Sequence, residues 1–192
     1  MALQQLSRDD VNSLGGQLCL TDHNEEYGLE NIHYNVCDEN SSSLKKRCRG
    51  QVWNGKNLVL ESFPYTPEIV HDDIESIKKL MEKPFRLFES HEGFSIRMFW
   101  FGDKWWITTN RKLDASKNRW VSRVSFGEQF EKAVEKYLPM DSLKEQLKKE
   151  YQYVFIVCHD DKNRIVCNPS NRIFHVGTYI NGVIDFDERK IP

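Results

Sequence analysis

The stretch FESHEGFSIRMFWFGDKWWITTNRKLDASKNRW, residues 88–120, decides how the rest of the chain reads. It opens with the polar run Glu89-Ser90-His91-Glu92-Gly93 and continues as an alternating strand. There Phe94, Ile96 and Met98 take one face, and Ser95 and Arg97 share the other with Gly93. Gly102-Asp103 supplies a turn, and Lys104-Trp105-Trp106-Ile107-Thr108-Thr109 returns as a second strand. The pattern predicts a β-hairpin with one face in the core, the other free to hold a ligand, and a polar site at its mouth. Of the adjacent Trp105 and Trp106, at least one must point away from the first core. Two covering layers account for this, and so does an indole exposed for base stacking.

Upstream, Cys48 to Trp53 and Asn57 to Phe63 flank Asn54-Gly55, the strongest short hairpin signal. Pro64 and Pro67 lack amide donors and end that strand. His71 to Met81 has apolar residues at helical spacing with acids first and lysines last, which predicts a helix packed on the sheet. Pro84 then leads into a strand over Phe85 to Phe88. Downstream, Arg111 to Trp120 is a cationic loop. It reads either as a solvated connector, the usual fate of a charge run, or as a phosphate or RNA contact. Ser125 with Glu128 forms a capping-box signature, Asp141 to Lys149 is a second amphipathic helix, and Tyr153 to Cys158 is a strand. The first forty-odd residues are weakly patterned, with a short helix near Asp9 to Leu14 stopping at Gly15-Gly16 and a loop over Asp38 to Ser43.

These readings predict an α+β fold of antiparallel sheets with flanking helices. One antiparallel sheet holds 48–63, 85–109 and 151–167, and helices lie near 71–82, 126–137 and 140–149. Residues 1–43 are expected to be a polar N-terminal segment and 44–192 the domain.

A chain of 192 residues with 39% hydrophobic content supports one domain with a sizeable core. A net charge of -2 gives no general basic excess, so only local basic patches can attract phosphate backbones. The absence of a long apolar run or a signal-peptide core predicts a soluble, intracellular protein without membrane contact. The five cysteines contain no CxxC pair, and Cys158, His159, Cys167 and His175 fit no common zinc spacing, so free thiols are expected and no metal.

Glu89-Ser90-His91-Glu92-Gly93 at the start of such a hairpin resembles the Glu-Lys-x-Asp-Gly signature of ATP-dependent RNA ligases. The likeness is to their nucleotidyltransferase domain, especially in phage tRNA-repair ligases and their relatives in large DNA viruses. RCRGQVWNGKNLVLESF (47–63) is similar to the family's Arg-Gly strand pair, and YVFIVCHDDKNRIV (153–166) to its Asn-Arg-Ile-Val segment. The resemblance therefore spans roughly 47–167, three blocks in the family's order.

In the family the signature lysine attacks the α-phosphate of ATP, and here that position is Ser90. A hydroxyl without an adjacent base cannot form the lysyl-adenylate of the ligation cycle. The strand before Asn163-Arg164 carries no acid, Tyr65 and Thr66 lie where a phosphate-binding lysine is expected, and the twenty-odd residues after Val166 are too few for the family's closing strands.

The resemblance thus implies a catalytically degenerate ligase-like module that binds nucleotide or RNA weakly, or serves as a structural piece alongside other viral proteins. The alternatives are an active ligase or nucleotidyltransferase completed by another chain, and a virion structural protein. No catalytic residue and no cofactor are expected, with ATP and magnesium bound only if the pocket is retained. The residues that would line it are Glu92, Gly93, Arg97, Arg49 and Arg164, converging with Ser90 on one concavity.

Overall fold

In the computed structural model, which describes residues 6–82, 84–85, 87, 91–119, 123–158 and 172–186, the strands divide between two antiparallel sheets. The first holds β1 (Leu18–Asn24), β2 (Leu29–Tyr34), β3 (Arg49–Asn54) and β4 (Asn57–Leu60) in that order. The second holds β5 (Phe94–Phe101), β6 (Lys104–Thr108), β7 (Gln152–Cys158), β8 (Arg172–Ile180) and β9 (Val183–Asp185), in the order β6-β5-β7-β8-β9. The α+β class with antiparallel sheets and flanking helices is as expected, but 48–63 falls in a different sheet from 85–109 and 151–167.

The reason lies in β5, whose two faces both carry large apolar side chains. Ile96 and Met98, with Phe94 beside them, pack against the apolar sides of α4 (Phe126–Val134) and α5 (Met140–Gln146). Phe99 and Phe101 project the other way, into a second core with Leu29, Val52, Leu60, Trp106 and Leu113. A sheet with helices on one side only would leave that second face in water, so β1–β4 close over it. The two tryptophans follow the same division. Trp106 is buried between the sheets and Trp105 packs on the helix side, so two covering layers account for both.

Outside the first sheet, α1 (Arg8–Ser13) brings Val11 onto Ile32, Cys48 and Trp53. The layers therefore run helix, sheet, sheet, helix. The boundary at residue 43 is corrected with them. β1 and β2 are integral to the first sheet, and β2 pairs with β3 through Leu29↔Asn54 and Asn31↔Val52. Their patterning is weak because two inward-facing positions are polar: Asn31 and His33 are buried at 0% and 6% exposure.

Local signals held where they were chemical. Asn54-Gly55 and Gly102-Asp103 form the predicted hairpin turns, and Asn181-Gly182, not singled out as a turn from the sequence, forms another with φ of 51° and 76° as a type I′ turn requires. Ser125 Oγ accepts the Glu128 amide at 3.2 Å while the Glu128 carboxylate accepts the Ser125 amide at 2.7 Å, closing the capping box of α4. The helices end earlier than predicted, at Val134 and Gln146.

α3 (Ile74–Met81) forms where predicted, capped by Asp73, but it buries none of its residues. The expectation that it packs on the sheet is corrected, since sheet and helices already cover both faces of the strands it follows. Phe85 and Leu87 are not in a strand, and the remainder of the predicted 85–88 strand lies outside the described residues. Among the described residues no helix is long and apolar enough to cross a membrane.

Candidate functional site

Arg97 stands at the centre of the joint between the sheets. It is 1% exposed, and its two terminal nitrogens donate to the Gly50 carbonyl on β3 and the Thr109 carbonyl just after β6. The face of β5 predicted to be open for a ligand is thus closed, and this arginine holds one sheet to the other. Its Nε has no hydrogen-bond partner among the described residues. Burial pushes its pKa down to about 9, which leaves it cationic at neutral pH. Among the described residues no carboxylate pairs with the positive charge at this joint.

The loop after β6 lies directly on β3 because residue 50 is glycine. At φ +91° a Cβ there would sit 2.3 Å from the Asn110 carbonyl oxygen, so no other residue lets the two backbones approach. Thr109 fixes the loop: its Oγ1 accepts from the Lys112 amide at 3.1 Å and from Asn118 Nδ2 at 3.0 Å. The Arg49-Gly50 and Asn110-Arg111 pairs are thereby brought side by side.

Beside them lies His33, paired with Arg49 across the β2–β3 ladder. Its Nδ1 is 2.6 Å from the Tyr34 carbonyl oxygen, which can only accept, so Nδ1 carries the proton and Nε2 is left with a lone pair. Burial lowers the His33 pKa first, and the positive charges of Arg111, Arg49 and Arg97 lower it further. Three guanidinium groups thus act on one imidazole. Arg49 is half-buried and Arg111 exposed, and neither side chain hydrogen-bonds or ion-pairs with a described residue. An imidazole, two uncommitted guanidiniums and a buried third charge behind them form a surface that attracts an oxyanion. Near Tyr65 the field reverses, since Glu39, Glu68 and Asp38 all act to raise that phenol's pKa after its desolvation.

Of the residues expected to converge, Arg49 and Arg97 do meet, on either side of Gly50. Gly93 lies at the other end of the story of β5, four residues before Arg97 and about 13 Å along an extended strand. It is pressed against β7, where a Cβ would meet the Val157 carbonyl oxygen at 2.4 Å. Glu92 beside it is half-buried. Ser90 and Arg164 lie outside the described residues. Glu61, just after β4, is engaged by Arg47, at 2.9 Å.

Arg111 was legible only as one member of a cationic loop. His33 carried no signal, because it sits on a strand whose inward positions are polar. The glycine in Arg49-Gly50 was the available clue, marking a place where a second backbone comes close. Elsewhere, an open hollow of about 350 Å³ is lined by Asp22, His23, Lys104, Asp114 and Lys117 among others. Its charges are largely matched internally: Asp22 accepts the Leu113 amide at 2.9 Å, and Lys104 lies over the rings of Tyr27 and Trp106. Among the described residues no cluster of histidine, cysteine and carboxylate groups could hold a metal ion.

No family model and no solved structure matches the chain. It is similar to three viral proteins: the Immediate-early protein ICP-46 homologs of Invertebrate iridescent virus 6 and Invertebrate iridescent virus 3, and Immediate-early protein ICP-46 of Frog virus 3 (isolate Goorha). The identities are 38% over 154 residues, 35% over 172 and 27% over 150, covering 71%, 85% and 70% of this chain. They cover 34%, 35% and 37% of those proteins, so the chain spans about a third of the length of the curated relatives it matches.

Proposed function

We propose that this domain is a non-adenylating, RNA-ligase-like module of a viral protein that binds RNA through the phosphates of its backbone, with Arg49, Arg111 and His33 as the contact surface. The observation that carries the reading is the pair of guanidinium groups of Arg49 and Arg111, held beside Gly50 with no carboxylate partner among the described residues and backed by the buried charge of Arg97. Two adjacent guanidiniums with no acid beside them among the described residues suit an oxyanion, and phosphate is the anion that a planar guanidinium fork matches. With so few contacts and a net charge of -2, binding is weak and salt-dependent, and it carries no base specificity.

The test is fluorescence anisotropy with a short labelled single-stranded RNA at several salt concentrations. Arg49→Ala and Arg111→Ala should each weaken binding and each reduce the salt slope by about 1. Binding that is absent at low salt, or indifferent to both substitutions, would sink the proposal. A parallel incubation with α-labelled ATP and magnesium should leave no acid-labile covalent label, because serine stands at the nucleophile's position. A label removed by changing one particular residue would instead favour a working nucleotidyltransferase.

A further inference from the structure

We propose that His33 reads the ribose 2′-hydroxyl beside a phosphate held by Arg49 and Arg111, so that this surface selects RNA over DNA; the inference rests on the phosphate-binding reading of the same site. The imidazole is 6% exposed and its ring is fixed in place. Nδ1 donates to the Tyr34 carbonyl at 2.6 Å, and the Tyr34 ring lies beside it with centroids 4.4 Å apart. Nε2 of the neutral ring is thereby left as an acceptor alone. Among the described residues nothing donates to it, yet it is not sealed from solvent as the unpartnered Arg97 Nε is. A buried, oriented ring with one accessible and unfilled acceptor is a place for a ligand's donor.

The neighbours of the ring name that donor. His33 and Arg49 are paired across the β2–β3 ladder, where strands lie about 4.8 Å apart and paired side chains stand on one face. Arg111 acts on the same imidazole from the loop over Gly50, and Arg97 from β5 behind it, so every charge that shifts the ring is positive. Cations hold phosphate, but a phosphodiester offers only acceptors and cannot serve Nε2. The sugar-phosphate backbone of DNA has no donor at all. That of RNA has one, the 2′-hydroxyl, on the carbon next to the one that carries the 3′-phosphate. It therefore falls within about one strand spacing of a phosphate bound at Arg49, closer than any amino group of a base.

The test compares three single-stranded ligands of one uracil-free sequence on the wild-type chain at about pH 7.5, where the imidazole is neutral. They are RNA, DNA, and RNA with fluorine in place of every 2′-hydroxyl, which keeps an RNA-like sugar but donates no hydrogen bond. RNA should bind about 5- to 10-fold more tightly than either of the others, the value of one hydrogen bond. His33→Phe, which keeps a ring and loses the acceptor, should bind all three about as the wild type binds DNA. Lowering the pH to about 5.5 should shrink the preference, because protonated Nε2 donates to the phosphate of either backbone while Arg49, Arg111 and Arg97 stay charged. Equal binding of RNA and its 2′-fluoro form by the wild type overturns this inference and leaves phosphate binding standing. So does a preference for RNA that survives His33→Phe. No RNA binding at low salt overturns both. The ligand series needs no variant, so it decides the matter even if His33→Phe does not fold.

Discussion

α3 and α4 are built alike in sequence and end differently. Both have a side-chain N-cap, Asp73 in one and Ser125 in the other, both carry an acid in the first turn and lysine in the last, and both have a continuous apolar stripe. α4 buries Phe130, Ala133 and Val134 against β5, β7 and α5, whereas α3 buries nothing. The difference lies in what faces them. The side of β5 that carries Ile96 and Met98 needs a cover and α4 supplies it, while the opposite side is already closed by the first sheet. Amphipathicity shows that a helix has an apolar side, and the neighbouring layers determine whether that side is needed.

The largest effect that would break this contrast is in the core. Phe130→Ala should cost about 3–5 kcal/mol in urea unfolding, because a fully buried ring leaves a cavity, while Leu80→Ala should stay within about 0.5 kcal/mol. Equal losses at the two positions would mean that α3 is packed after all. Next in size is the polar joint between the layers. Arg97→Met should destabilise by about 2 kcal/mol, since the Gly50 and Thr109 carbonyls lose their donor while the cost of burying a charge is relieved. A neutral or stabilising outcome would show that the sheets hold together through their apolar cluster alone. Smaller again is the cap: Ser125→Ala should lower global stability by about 1 kcal/mol, whereas Asp73→Ala should leave the global transition unmoved.

How much of this was legible follows from the range of each signal. Turn chemistry at Asn54-Gly55 and Gly102-Asp103, the capping box at Ser125 and the alternation of Phe94, Ile96 and Met98 are local, and the fold keeps all of them. The division into two sheets was not legible, because it rests on contacts between Phe99 and Leu29, Val52 and Leu60, distant in sequence. β2 was missed because Asn31 and His33 are buried polar residues, which break the alternation that reveals a strand. At the candidate site, Arg49 and Arg97 were named from the resemblance, and their meeting across Gly50 comes from the packing of the sheets. His33 and Arg111 joined them through the loop that Gly50 admits.

The smallest effect concerns that surface, the uncovered polar counterpart of α3. Burial and three guanidinium groups hold the His33 pKa below its ordinary 6.5. The unfolded chain therefore takes up this proton more readily than the folded one. The resulting contribution to stability is complete above pH 6.5 and is lost as the pH falls from there through the lowered folded value. Urea unfolding between pH 7.5 and 5 should accordingly show a decline in the wild type that is shallower in His33→Gln, which keeps a polar side chain but has no proton to gain. Parallel slopes would mean that the folded structure does not hold this imidazole's pKa down. A bound phosphate offsets those positive charges and makes protonation easier, so saturating RNA should reduce the difference between the two proteins, and RNA binding to the wild type should tighten as the pH is lowered toward 6. If RNA leaves the His33 titration unchanged, the phosphates bind elsewhere, and the two arginines at Gly50 are not the contact surface.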